Sequence, residues 1–181
     1  INWFIFIDIN INLNDIVFYF LNDMSIIMEK INVGIVGLGR VSEHHKNYLK
    51  KNKRLNITAC CDKDRTKLNN FSKYYNSKNN FTSIEDFSNS NSFELAIVAT
   101  PSGDHFRHSK ILLKKNKHVL VEKPASLRIG EHIKLFKLSN KKNLFYDVIL
   151  QNRYNNAILY LKDILLKKKL GKIIKVNVRV N

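Results

Sequence analysis

Apolar residues occur in short, dense runs separated by longer polar stretches. Ile31-Asn-Val-Gly-Ile-Val-Gly37 is nearly continuous and closes on glycine, as a strand buried on both faces of a parallel sheet does. Leu55-Asn-Ile-Thr-Ala-Cys-Cys61 and Glu94-Leu-Ala-Ile-Val-Ala-Thr100 repeat the pattern, and His118-Val-Leu-Val121 and the run from Leu144 to Leu150 are further strands. Between them, polar stretches of helical character cover about Ser42–Lys51, Arg65–Tyr75, Ser102–Asn116 and Leu127–Ser139. Strands alternating with helices of about 10–15 residues predict βαβ units and a doubly wound parallel sheet.

The two ends of the chain differ from this middle. Tyr154–Lys168 reads as an amphipathic helix and Ile173–Val180 as a strand, in which Val176, Val178 and Val180 alternate with Lys175, Asn177 and Arg179. Such alternation marks a sheet with one wet face. A strand ending there would leave an open edge that folded proteins normally cover. The expected class is therefore α/β, a Rossmann-type doubly wound sheet over 28–150. Residues 151–181 are expected to form the first helix and strand of a truncated α+β domain with an antiparallel sheet. Residues 1–27 contain no Lys or Arg, and Asp8, Asp15 and Asp23 break the apolar run well short of the roughly 20 residues that span a bilayer. No secretory leader and no membrane span are expected. Met24 and Met28 directly precede the first strand, so translation is expected to begin there, with residues 1–27 a non-native or unstructured extension.

Composition narrows the class. Hydrophobic residues at 44% and charged residues at 25% exclude wholesale disorder. The only two cysteines, Cys60 and Cys61, are adjacent and supply neither a disulfide framework nor a four-ligand zinc site, so a reducing cytoplasm is expected. The net charge of +16 suggests an acidic partner. The lysines, however, are scattered over surface positions of the expected helices: Lys50, Lys51 and Lys53, then Lys114, Lys115 and Lys117, then Lys167, Lys168 and Lys169. No arginine stripe with interleaved aromatics is present, as a single-strand platform needs. A solvated basic surface is the preferred reading and no nucleic-acid partner is expected; an anionic small molecule is compatible with the field. His44, His45, His105 and His108 lack paired carboxylates or thiols at ligand spacing, so no metal is expected. His45 is read as packed on the first helix.

Strand one runs into Gly37-Leu-Gly39-Arg40-Val41-Ser42, a G-x-G-x-x-S form of the dinucleotide fingerprint. Gly37 allows the tight turn and Gly39 lets a pyrophosphate approach the helix N-terminus. Asp62 closes the second strand, near the expected separation of about 20 residues for the carboxylate that binds the adenosine ribose. Both prolines follow strands on one edge of the sheet, in Thr100-Pro101-Ser102 and Glu122-Lys123-Pro124. Ligands of open α/β sheets bind outside the carboxyl ends of the strands, so both motifs are aimed at the cofactor crevice.

Gly-Leu-Gly-Arg, Ala-Thr-Pro-Ser-Gly-Asp-His and Lys-His-Val-Leu-Val-Glu-Lys-Pro together resemble the Gfo/Idh/MocA oxidoreductases, over Lys30 to Asn181. The resemblance implies that Gly37, Gly39, Arg40 and Val41 form the pyrophosphate loop and that Asp62 binds the ribose. It implies that Thr100, Pro101, Ser102 and His105 line the cleft, and that Glu122 and Lys123 reach the nicotinamide end, with Lys123 beside the reacting carbon. Gln151-Asn152-Arg153-Tyr154-Asn155 resembles the entry to the family's substrate domain, Asn152 and Arg153 facing cofactor and substrate. Members acting on nucleotide-linked sugars often carry a proline where this chain has Asn156. The family's downstream Asp and His lie beyond Asn181, so this chain alone is expected to be inactive.

Oxidising a secondary alcohol needs a proton acceptor as hydride leaves. A free lysine, with a pKa of about 10.4, needs about 4 kcal/mol of differential environment to titrate three units lower. A mixed role for Lys123 follows, hydrogen bonding as well as proton transfer. The implied function is hydride transfer between a nicotinamide cofactor and a sugar, polyol or nucleotide-linked sugar, in a homo-oligomer. A non-catalytic dinucleotide-binding regulator is the alternative. Asp62 favours NAD, while Lys63 and Arg65 beside it leave NADP open.

Overall fold

A computed structural model of the chain describes residues 30–177; the reading of residues 1–27 lies outside them. The contacts divide the chain into two compact units, with the boundary between Ile149 and Leu150.

The first unit is built on six strands, β1 (Ile31–Val36), β2 (Leu55–Cys61), β3 (Asn79–Phe81), β4 (Leu95–Val98), β5 (His118–Glu122) and β6 (Tyr146–Ile149). All pair in parallel, in the order β3-β2-β1-β4-β5-β6. Helices α1 (Arg40–Lys51), α2 (Arg65–Tyr75), α3 (Ile84–Asn89), α4 (His105–Lys114) and α5 (Ile129–Lys142) make the crossovers. The chain winds outward from β1 to β3, returns to β4 and winds outward again. The carboxyl ends of β1 and β4 therefore flank the crevice where strand order reverses. This is the Rossmann-type sheet expected from the apolar runs, whose side chains fill both faces: every residue of β4 is buried, as are Val33, Ile35 and Val36 in β1.

One glycine in this core is dictated by packing. The rings of Phe87 and Phe93 stack 4.4 Å apart over Gly34, where a β-carbon would lie 2.6 Å from the Phe87 ring. Elsewhere asparagine does glycine's work. Asn76 and Asn143 end α2 and α5 at φ of 58° and 54°, and Asn116 follows α4 at 59°. Asparagine tolerates this left-handed region better than other non-glycine residues, which lets a chain with only 6 glycines close its helices.

Two elements escape the hydrophobic pattern. β3 is Asn-Asn-Phe, an edge strand paired only with β2, and has no apolar run to mark it. α3 spans six residues and starts where Ser83 Oγ accepts the Asp86 N–H. α1 begins at Arg40, immediately after Gly39 and ahead of the expected Ser42. A 3-10 turn over Ser102–Asp104 precedes α4.

In the second unit a 3-10 turn over Gln151–Tyr154 leads into α6 (Asn156–Leu166), started by Asn155, whose side chain accepts the Ala157 N–H. The strand expected over Ile173–Val180 does not form in its described part, 173–177. Ile174 is 94% exposed there. Alternation specifies a strand face only when a neighbouring strand accepts the ladder, and among the described residues none pairs with this segment.

Candidate functional site

The crevice is built by the loops that leave β1, β2, β4 and β5. Gly37 ends β1 with φ of +86°, and a β-carbon on it would fall 2.5 Å from the Thr100 amide nitrogen. Only glycine fits, both for the left-handed conformation and because the backbones leaving β1 and β4 touch here. Gly37 N–H donates to Cys61 O (2.9 Å), and the buried Ser42 hydroxyl donates back to Gly37 O. Gly39 caps the 12-residue α1 and differs from Gly37: a β-carbon on it would meet nothing within 4 Å. The space above the helix N-terminus is open, and a side chain would fill it. That is the cradle a pyrophosphate needs beside unpaired N–H groups and the positive end of the helix dipole. Arg40 and Val41, the first two helical residues, are exposed beside it.

Asp62 locks the loop from β2. Its Oδ2 accepts the Leu38 N–H (2.7 Å) and its Oδ1 accepts the Asp64 N–H (2.9 Å). Each carboxylate oxygen accepts more than one hydrogen bond, so both keep capacity for ribose hydroxyls. Asp64 then caps α2 by accepting from Thr66 and Lys67 N–H, and those backbone bonds, the Lys67 one foremost, hold its carboxyl below the usual range. The residues present thus fit a dinucleotide: an open helix N-terminus, a glycine over the gap and a fixed, half-exposed carboxylate.

On the other side of the switch point, imidazole rings do the fixing. His105 is 1% exposed; its Nε2 lies 2.6 Å from Thr100 O and its Nδ1 lies 2.7 Å from Pro124 O. Both partners are carbonyls, so each ring N–H present donates to one. The ring thus tethers the Thr100-Pro101-Ser102 loop to the Glu122-Lys123-Pro124 loop, and both nitrogens are spent on backbone. Pro101 and Ser102 are exposed. His108 holds Thr100 from the side, with Nδ1 3.1 Å from Oγ1. His45, on α1, places Nε2 2.6 Å from Glu122 Oε1. The other Glu122 oxygen accepts the Lys123 N–H (3.1 Å), so each oxygen of this 5%-exposed carboxylate is held, one from α1 and one from its own loop. Lys123 itself is exposed at the loop tip.

Gly37, Gly39, Arg40, Val41, Asp62, Thr100, Pro101, Ser102, His105, Glu122 and Lys123 therefore lie on strand ends, loops and first helical turns at one edge of one sheet. Asn152 and Arg153 belong to the second unit, in its exposed 3-10 turn. Sequence reasoning missed two groups. His45 is more than helix packing: it shares the face of Ser42, three residues earlier, and that spacing was the available signal. His108 and its neighbour Arg107 carried no signal. Cys60 and Cys61 are buried thiols, pushed up to about 11 and about 12 by desolvation, which keeps them unreactive. Among the described residues no helix is long and apolar enough to cross a membrane.

Comparison with known proteins agrees with this geometry. A family model described as the oxidoreductase family with an NAD-binding Rossmann fold matches residues 31–150. Glucose-6-phosphate 3-dehydrogenase of Bacillus subtilis is 25% identical over 146 residues, covering 81% of this chain and 41% of the relative. Scyllo-inositol 2-dehydrogenase (NADP(+)) of the same organism is 32% identical over 82 residues, 45% of this chain and 23% of the relative. The WlbA dehydrogenase of Bordetella pertussis, solved with NADH and UDP-GlcNAcA, superposes with a TM-score of 0.75 at 25% identity, covering 80% of this chain and 45% of that one. The chain thus spans less than half the length of each of these relatives. With the matched residues running from β1 to the end of β6, the chain belongs to the Gfo/Idh/MocA oxidoreductase family.

Proposed function

We propose that this chain forms the dinucleotide-binding part of a dehydrogenase that passes hydride between a nicotinamide cofactor and a secondary alcohol of a sugar, polyol or nucleotide-linked sugar. The observation that carries the reading is the junction at the switch point, where Gly37 abuts the Thr100 backbone and the Leu38 N–H closes on Asp62. That junction leaves Gly39 and the α1 N-terminus open. The relatives support it, since those named above are a phosphosugar dehydrogenase, an inositol dehydrogenase and a dehydrogenase crystallised with NADH and a nucleotide sugar.

In this reading the bound cofactor supplies the hydride acceptor or donor. The α1 N-terminus with Gly39, Arg40 and Val41 binds the pyrophosphate, and Asp62 accepts from the adenosine ribose. Thr100, Pro101 and Ser102 orient the middle of the dinucleotide. His105 holds their loop against that of Glu122 and Lys123. Lys123 hydrogen-bonds the reacting hydroxyl and moves its proton. Asn152 and Arg153 lead toward the substrate. The unpaired thiols of Cys60 and Cys61 suit a reducing cytoplasm, and the complete protein is a homo-oligomer.

NAD is the preferred cofactor. Asp62 facing a 2′-phosphate is repulsive by roughly a few kcal/mol at an effective dielectric near 20, whereas the exposed Lys63 and Arg65 return about 1 kcal/mol at most. The test is NADH titration of the 181-residue chain, followed by nicotinamide fluorescence and repeated with NADPH and with Asp62→Ser. NADH should bind more tightly than NADPH, and the substitution should erase the preference. A chain that leaves NADH fluorescence unchanged at millimolar cofactor ends the reading, and one that prefers NADPH reverses the cofactor assignment.

A further inference from the structure

We propose that Arg107 and His108 fix the Thr100 hydroxyl as a hydrogen-bond donor toward the dinucleotide, by locking the His108 ring in one tautomer. The inference rests on the reading that the crevice between β1 and β4 takes the cofactor, and it adds two positioning residues to that site.

The direction of each bond follows from what the partners are able to do. Arg107 Nη2 lies 2.8 Å from His108 Nε2. A guanidinium has donors and no acceptor, so Nε2 is the bare nitrogen of the ring and Nδ1 carries the hydrogen. Nδ1 lies 3.1 Å from Thr100 Oγ1, so the hydroxyl accepts there. Its single hydrogen is left to donate elsewhere, and the residue stands at the crevice, where the Thr100 amide abuts Gly37. Cofactor phosphate and ribose oxygens are acceptors, which is what such a donor suits. In the other tautomer Nδ1 would take the Thr100 hydrogen for itself, and Nε2–H would point at the guanidinium.

The surroundings hold this arrangement. His108 is 5% exposed, and burial first, then the charge of Arg107, lowers its proton affinity. The ring is therefore neutral at physiological pH and has one bare nitrogen to offer. Arg107 is itself steadied by Glu85 on α3 (3.6 Å) and Asp104 before α4 (3.7 Å). A half-exposed arginine thus sets the polarity of a hydroxyl in the cleft, through a ring that never meets the ligand.

The experiment uses the full 181-residue chain and two readouts. Side-chain 15N spectra without cofactor should show His108 protonated at Nδ1 in the wild type and a mixed tautomer in Arg107→Met. With NADH as probe, Arg107→Met and Thr100→Val should each weaken binding about two- to tenfold, the value of one neutral hydrogen bond. Combining them should cost no more than Thr100→Val alone, because both remove the same bond. Thr100→Ser, which keeps the hydroxyl, should recover most of the binding lost in Thr100→Val and still respond to Arg107→Met. Additive losses would show that Arg107 acts by its charge on the cofactor, and a wild-type ring protonated at Nε2 would remove the lock; either overturns the proposal. If the wild type binds no NADH, the reading of the site fails along with the donor's target, and the spectra still decide the tautomer lock by themselves.

Discussion

The two sides of the switch point are organised by different means. After β1 and β2 the loops are held by backbone: the Gly37 conformation, the Leu38 and Asp64 N–H groups on Asp62, and the start of α1. After β4 and β5 they are held by three imidazoles reaching in from helices: His105 on two carbonyls, His108 on Thr100 and His45 on Glu122. The turn at Gly37, the start of α1 at Gly39 and the carboxylate after β2 sit directly at strand ends and leave a mark in the sequence. The imidazole tethers join residues anywhere from 5 apart, His105 and Thr100, to 77 apart, His45 and Glu122, and leave almost none. The first side should therefore fail through sterics and strain, and the second through lost tethers.

The sharpest contrast is between two glycines of one motif. Gly37→Ala puts a β-carbon into the Thr100 backbone at positive φ, so it should cost at least about 2 kcal/mol of stability and abolish NADH binding. Gly39→Ala meets open space; it should unfold at the wild-type urea concentration yet bind NADH more weakly. Equal urea midpoints for the two variants would refute the difference.

On the imidazole side, His105→Ala removes a fully buried ring whose two nitrogens face the Thr100 and Pro124 carbonyls. A loss of about 2–4 kcal/mol is expected, with the two motif loops freed together, which hydrogen exchange at Thr100 and Lys123 would report. Protection lost at only one of these loops would mean that the ring does not join them. His45→Ala is milder, about 1–3 kcal/mol. It leaves the Glu122 carboxylate buried without its helix partner, while His45→Gln, which keeps a donor at nearly the same place, should restore most of the loss.

The smallest expected effect is on pH dependence. Desolvation lowers the proton affinity of both His108 and His118 below the ordinary 6.5, and His118 Nδ1 accepts the Phe145 N–H (3.0 Å), which a proton would break. In the window between the lowered folded values and 6.5 the unfolded chain binds more protons than the folded one. Stability should therefore be full above about pH 7 and fall as the pH drops through 6.5 toward 5. The urea midpoint at pH 5.5 against 7.5 measures this, and His118→Gln should flatten part of the slope. A midpoint that rises on acidification would contradict the sign.

The fold was largely legible because its strands announce themselves. Ile31–Gly37, Leu55–Cys61 and Glu94–Thr100 are dense apolar runs, and each closes on a residue of the crevice or just before one. Asn79–Phe81 was not legible, since an edge strand of Asn-Asn-Phe is chosen by the neighbour it pairs with. The strand expected over Ile173–Val180 failed in its described part for the converse reason: alternation was present and a partner was not.

The sequence by itself determined the parallel sheet, the glycine turn at Gly37 and the acidic end of β2. These depend on local conformation and on burial of nearly every side chain in a run, and both are written in neighbouring residues. Only the tertiary structure decided what the histidines do. An imidazole donates, accepts or carries charge according to the atoms that face it, and those atoms come from other elements: Pro124 for His105, Glu122 for His45, and Thr100 for His108.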